Sequence, residues 1–205
     1  MDLQWLKWAK RIQAISQAGL AFSKDEFDRE RYAELREISC DIIAKHTEMK
    51  IEDVKKFYIS ETGYPTPKVD VRGVIFQKGR LLFIKEKMDQ RWALPGGFCE
   101  VGLSPAENVV KEIKEEAGFD TKAKKMLAVL DMNKYSNDPQ PYDYYKLFIL
   151  CDIVGGERTV GLETSDIQFF AEHDLPRLST RRNTLSQIRL LFEFLHDPEK
   201  ETAFD

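Results

Sequence analysis

Apolar residues recur at helical spacing through the first sixty positions: Leu6, Ala9, Ile12 and Ile15, then Leu35, Ile38 and Ile42, then Ile51, Val54, Phe57 and Tyr58. The pattern predicts three amphipathic helices. It stops at Gly63-Tyr64-Pro65-Thr66-Pro67, where glycine can end a helix and two prolines forbid its continuation. A domain boundary is expected there, with a helical domain over residues 1–65 and a second domain over 66–205. Some sixty residues make a marginal core by themselves, so the helical piece should pack on the larger domain or on a second copy. A homodimer is the expected assembly, because the linker prolines hold the segment away from its own sheet.

After the seam the periodicity changes. Val69 to Phe76 and Arg80 to Glu86 are rich in β-branched and aliphatic residues and flank Gln77-Lys78-Gly79, which predicts a hairpin. A loop through Leu94-Pro95-Gly96-Gly97 precedes a helix expected over Ser104 to Ala117. Strands are expected near Met126 to Asp131, Tyr144 to Ile153 and Ile167 to Phe170, and a last helix over Leu185 to Leu195. Hairpin, helix, further strands and helix in that order predict an α+β arrangement, a sheet covered by helices, instead of a doubly wound array.

Composition narrows the chemistry. The chain has 205 residues, 31 Lys plus Arg, 35 Asp plus Glu and a net charge of -4, which removes any general electrostatic argument for nucleic acid. Only a local basic groove around Arg177, Arg181 and Arg182 would survive it. Cys40, Cys99 and Cys151 are widely spaced with no CxxC pair, so neither a disulfide framework nor a thiolate zinc site is expected. His46, His173 and His196 lack ligand spacing. The N-terminus mixes acidic and basic residues among its apolar ones, unlike a signal peptide, and no window approaches the ~18 apolar residues of a membrane span. A cytoplasmic location with no membrane partner is expected.

The informative stretch runs from Gly97 to Phe119. Ser104, Pro105 and Glu107 supply an N-cap, a first-turn proline and a capping-box partner, and Gly118 marks the helix end. On that helix Ala106, Val109, Val110, Ile113 and Ala117 share one face, while Glu112, Glu115 and Glu116 cluster on the adjoining one. Like charges at these spacings repel. Either Lys111 and Lys114 balance them on a solvated face, or they bind a divalent cation beside the Gly-Gly loop, where hard oxygen ligands suit Mg²⁺ or Mn²⁺.

The stretch resembles the signature of the Nudix hydrolases. Gly97, Glu112, Ile113, Glu115, Glu116, Gly118 and Phe119 fall on the pattern, and Trp92-Ala93-Leu94-Pro95-Gly96 before it is typical of the family. Two positions depart: Leu103 stands where the family has Glu, and Lys111 where it has Arg. The resemblance implies a Nudix α/β/α sandwich with a mixed β-sheet, preceded here by a small all-α domain. It implies Glu112, Glu116, Glu115 and the Gly96 carbonyl as ligands of Mg²⁺ or Mn²⁺, and a later carboxylate, for which Glu163 is the candidate, as base. Arg72 and Arg91 are candidate phosphate or base contacts.

With Thr66-Pro67-Lys68-Val69-Asp70-Val71-Arg72-Gly73-Val74, the helical segment resembles the hydrolases of X-linked nucleoside diphosphates that carry an N-terminal helical domain. That likeness implies cleavage of CDP-choline to CMP and phosphocholine. ADP-ribose, a nucleotide sugar or an RNA end is the alternative substrate, and a non-catalytic sensor on the same fold the third reading. Tyr135, Tyr142, Tyr144, Tyr145 and Trp92 could cage a quaternary ammonium, although Tyr144 and Tyr145 cannot both face it from a regular strand.

Overall fold

A computed structural model of the chain describes residues 3–59, 61–135 and 140–205. The chain divides into two compact units, Met1–Pro67 with Asn137–Asp143, and Lys68–Ser136 with Tyr144–Asp205.

The first unit holds α1 (Gln4–Phe22), α2 (Glu26–His46) and α3 (Ile51–Ile59). Leu6, Ala9, Cys40, Ile43, Val54 and Tyr58 form its core. The buried stripe of α1 differs from the one its aliphatics predict: Leu6 and Ala9 are followed inward by Gln13, Ser16 and Gln17. Ile15 is 44% exposed and lies with Trp8 (62%) and Phe22 (66%) on a seven-residue stripe facing outward. Two of these three polar residues are hydrogen-bonded, while both amide atoms of Gln13 are buried without a partner among the described residues. Ser16 Oγ donates to the Ile12 carbonyl at 2.8 Å, and Gln17 Nε2 to that of Gly63 at 3.3 Å. The small Ala9 lets α2 approach, so that Ser39 Oγ donates to its carbonyl at 3.0 Å.

Residues 140–143 belong to this unit although they lie more than seventy positions after Pro67 in sequence. The Tyr58 hydroxyl donates to the Pro141 carbonyl at 2.7 Å, and Lys10 Nζ donates to the Tyr142 carbonyl at 3.1 Å and to Asp143 Oδ1 at 2.7 Å.

The second unit contains β1 (Lys68–Val74), β2 (Phe76–Gln77), β3 (Arg80–Glu86), β4 (Trp92–Ala93), α4 (Pro105–Ala117), β5 (Phe119–Asp131), α5 (Met132–Tyr135), β6 (Tyr144–Gly156), β7 (Thr164–Phe170), α6 (Leu185–His196) and β8 (Ala203–Phe204). One mixed sheet has the order β1-β6-β5-β8, with β1 parallel to β6 and β5 antiparallel to it. In the other, β3 is central and antiparallel to β2, β4 and β7.

Successive residues of β3 serve opposite layers. Leu81 and Phe83 join the core under α6 with Ile188, Leu191 and Phe192, whereas Leu82 and Ile84 join the core under α4 with Val109, Ile113 and Ala117. The sheets therefore lie between α4 and α6, the α+β sandwich that was expected.

Two strands depart from expectation. The segment from Val69 to Phe76 is not one hairpin arm: it breaks at Ile75, giving β1 to the mixed sheet and β2 to the antiparallel one. The hairpin itself is β2–β3, turned by Lys78 and Gly79 at positive φ (52° and 73°), as the twist of a two-residue connection requires. β5 begins at Phe119 instead of near Met126, because its inward positions Thr121 and Ala123 are too small or polar to reveal the alternation. Among the described residues no helix is long and apolar enough to cross a membrane.

Candidate active site

The helix that carries the acidic cluster is fixed at both ends by local chemistry. Ser104 Oγ accepts from the Glu107 N–H at 3.2 Å, and Glu107 Oε2 accepts from the Ser104 N–H at 2.8 Å, closing the capping box before Pro105. Gly118 ends α4 in the left-handed conformation. Val109, Ile113 and Ala117 are buried as expected, but Ala106 is exposed and Asn108 is buried in its stead. Asn108 stitches the preceding loop: its Oδ1 accepts from Glu100 N–H at 2.8 Å, and its Nδ2 donates to the Leu103 and Ser104 carbonyls at 3.1 Å each.

The Gly-Gly loop is laid against β1. Gly73 N–H donates to the Pro95 carbonyl and Val71 N–H to the Gly97 carbonyl, each at 2.8 Å, while the Gly96 carbonyl takes no part in that ladder. Gly96 has φ 140°, and a Cβ there would lie 2.0 Å from the Val71 carbonyl oxygen, so only glycine fits. Its N–H donates to Glu116 Oε2 at 2.7 Å. A Cβ on Gly97 would stand 2.9 Å from Glu112 Oε1. The structure thus brings Glu112 and Glu116, four residues apart on α4, against the backbone of this loop.

Both carboxyls are shifted by burial. Burial pushes Glu116 up to about 8, with the charges of Glu112 and Glu86 adding to it and Arg72 and the Gly96 N–H opposing it. Burial likewise raises Glu112, against Arg72 and Lys111. Glu115 stands at the exposed rim, 3.6 Å from Lys111 Nζ. Lys111 also pairs with Glu100. Lys111, which stands where the resemblance expects Arg, is thus paired with a carboxylate three positions before Leu103.

The remaining candidates lie as follows. Arg72 is 5% exposed, with its guanidinium engaged by both Asp70 oxygens, at 2.9 and 2.7 Å, and by the Leu94 carbonyl at 3.2 Å. Burial opposes its charge, but Asp70 more than restores it, so Arg72 stays protonated. Three of its N–H groups are thus directed to Asp70 and Leu94. Arg91 is half-buried in the turn between β3 and β4, its N–H on Asp89 Oδ1 at 3.0 Å. Glu163 is exposed on the loop before β7; its carbonyl accepts from Lys87 N–H at 2.9 Å. That loop is docked on α4 at Gly161, where a Cβ would lie 2.1 Å from the Glu115 carbonyl oxygen.

Several charged residues escaped the sequence reading. Glu86, 2% exposed, takes both Nε and Nη2 of Arg182, the latter at 2.9 Å. Lys146, 1% exposed in β6, donates to the Arg182 carbonyl and lies 3.8 Å from Asp70 Oδ1. A lysine inside an apolar run such as Tyr144 to Ile153 was the available signal, because a buried ammonium needs partners. Four of the five rings expected to cage a quaternary ammonium have other partners. Trp92 packs edge-on against Phe170 at 4.8 Å and Tyr144 edge-on against Phe98 at 5.7 Å; Tyr142 is tilted against Phe57 at 6.1 Å, and Tyr135 reaches Asp205 at 3.1 Å.

No group of three His, Cys, Asp or Glu among the described residues is assembled to hold a metal ion. Glu112 and Glu116 are withdrawn from water with incomplete compensation, which is the setting a divalent cation would relieve, and their hard oxygens with the Gly96 carbonyl suit Mg²⁺ or Mn²⁺.

A sandwich with an acidic helix against a Gly-Gly loop defines a class of phosphoanhydride hydrolases. The NUDIX domain description matches residues 66–191, and a second description, UDP-X-like, N-terminal oligomerisation domain, matches residues 3–58. The chain belongs to the Nudix family, and is a pyrophosphatase of nucleoside diphosphates linked to a further group; enzymes of this family typically use divalent metals.

A Bacillus subtilis (strain 168) protein, YjhB, provisionally named an ADP-ribose pyrophosphatase, is 55% identical over 205 residues, covering 100% of this chain and 99% of that protein. An ADP-ribose pyrophosphatase of Methanocaldococcus jannaschii is 37% identical over 134 residues, 64% of this chain and 75% of that protein. Among solved structures, a UDP-X diphosphatase has a TM-score of 0.65 at 37% identity, covering 98% of each chain. An ADP-ribose pyrophosphatase from Streptococcus suis has 0.62 at 43% identity, covering 68% of this chain and 100% of that one.

Proposed function

We propose that the chain hydrolyses the diphosphate of ADP-ribose to AMP and ribose 5-phosphate. The observation that carries this reading is the 55% identity, along the whole chain, to a protein provisionally named for that activity. CDP-choline, the substrate implied by the sequence resemblance, gives way: the relatives described are named for ADP-ribose or UDP-X, and the aromatic rings that would favour choline have separate partners. The UDP-X diphosphatase, alike over 98% of each chain, favours a UDP-linked compound as the second reading.

In this reading Glu112, Glu116 and the Gly96 carbonyl hold Mg²⁺ or Mn²⁺, which would neutralise the diphosphate and lower the pKa of the attacking water. Glu115, paired with Lys111, adds negative charge at the rim. Glu163 takes the proton of the water that attacks one phosphorus in line, and Gly161 keeps its loop on α4. Arg91 is left as a phosphate or base contact at the edge.

Incubation with ADP-ribose, UDP-glucose, CDP-choline and a short RNA, with Mg²⁺ or Mn²⁺, tests the proposal. AMP and ribose 5-phosphate are expected from the first and little product from the others. Release of CMP in preference to AMP would restore CDP-choline. Glu112→Gln and Glu116→Gln should abolish turnover with an unaltered circular dichroism spectrum, and near-normal rates in either would remove that residue from the metal set.

The homodimer is proposed on the outward stripe of α1. Trp8, Ile15 and Phe22 are large, apolar, exposed and aligned, and they lie in the segment that matches an oligomerisation domain.

A further inference from the structure

Leu94 opens the Gly-Gly loop, and both of its backbone polar groups are bound. Its N–H donates to Asn183 Oδ1 at 2.9 Å, and its carbonyl accepts from Arg72 Nη1 at 3.2 Å. Leu94 and Asn183 are 0% exposed. Each partner is itself fixed. Asp70 holds the Arg72 fork. Asn183 N–H donates to the Ser179 carbonyl at 2.9 Å, and Ser179 is tied to the Trp92 carbonyl at 2.8 Å and to Asp89 Oδ2 at 2.6 Å. Before Asn183 stands Arg182, anchored on Glu86 and Lys146; after it stands Thr184, the N-cap of α6.

We propose that Arg72 and Asn183 are positioning residues: they clamp Leu94 from both sides and thereby set the Gly96–Gly97 backbone against Glu112 and Glu116. The role in turnover rests on the metal site proposed above. Only Pro95 separates Leu94 from Gly96, and its ring fixes φ, so a displacement at Leu94 is passed on instead of being absorbed. Gly96 and Gly97 have no side chains with which to anchor themselves. A constellation of this kind tolerates displacements of only ~0.5 Å. The two clamping groups come from opposite ends of the unit, β1 and the turn before α6, so the loop is registered to both layers of the sandwich.

Asn183 gives a clean test, because its Nδ2 is buried without a partner among the described residues and only its oxygen is engaged. Asn183→Leu deletes the acceptor while keeping the branching and the number of side-chain heavy atoms; Asn183→Asp keeps the acceptor. In metal-free protein, hydrogen exchange at the Leu94, Gly96 and Gly97 amides should quicken in Asn183→Leu and return toward wild type in Asn183→Asp, with β3 and β6 unaffected. Mn²⁺ binding measured by calorimetry should weaken about tenfold in Asn183→Leu, and kcat for ADP-ribose should fall with KM little changed. Arg72→Lys, which keeps the charge beside Asp70 and loses the reach to Leu94, should give the same pattern. A folded Asn183→Leu protein with unchanged loop exchange and Mn²⁺ affinity overturns the clamp. A wild-type protein that binds no Mn²⁺ and releases no AMP overturns the proposed function, and the exchange data then decide the clamp alone.

Discussion

Lys146 shows what a single side chain can tell about the interior. Burial pushes its ammonium down to about 7, with Arg72 and Arg182 adding to the effect and Asp70 opposing it; Tyr144 lies under its Nζ at 5.7 Å. An unfolded chain holds that proton to its ordinary value of 10.5. Between those values the unfolded state binds more protons, so this group adds stability as pH rises and withdraws it as pH falls toward 7. Lys146→Met removes the titration. Urea midpoints of the two proteins should therefore diverge in favour of wild type from pH 7 to 9.5, and parallel midpoints would mean that Lys146 is not titrating there. Residues of this kind were the least legible in the sequence. Glu112 and Glu116 could be found because a helix repeats every few residues, whereas Asn183 meets Leu94 across 89 positions and Arg182 meets Glu86 across 96, separations over which no periodicity carries.

Elements differ in legibility according to how local their determinants are. The helix α4 was read to its ends because cap, proline and terminal glycine all lie within it or one residue away. Ser104→Ala, which opens the capping box, should cost about 1 kcal/mol in urea unfolding and leave KM unchanged; a loss of metal binding instead would mean that the N-terminus of α4 takes part in the site. β1 was read as a strand but not as leaving the hairpin at Ile75, since the choice between sheets is made by β6, whose paired residues lie 76 positions later. On α1 the error was one of face. Aliphatic residues marked the helix correctly, but the inward stripe is chosen by which residues let α2 approach, and Ala9 and Ser16 outrank Ile15 for that.

At the scale of the molecule, the net charge of -4 said little about the substrate, because the acidic residues proposed to act are two half-buried ones on a single helix. The outward stripe of α1 says more about assembly. Trp8→Asp with Phe22→Asp should convert a protein of twice the chain mass to a monomer in analytical ultracentrifugation, and an unchanged mass would place the interface elsewhere. The assignment of residues 140–143 to the helical unit bears on how the two halves can be recombined. A unit that draws on two stretches of chain has two junctions, so a gene cut at Pro67 yields neither half intact: the helices lose the carbonyls that Tyr58 and Lys10 bind, and the hydrolase half keeps a connection made for a neighbour it no longer has. Exchange of the N-terminal segment between relatives should therefore yield folded protein only when the stretch before β6 travels with it, which circular dichroism of the two chimaeras would check.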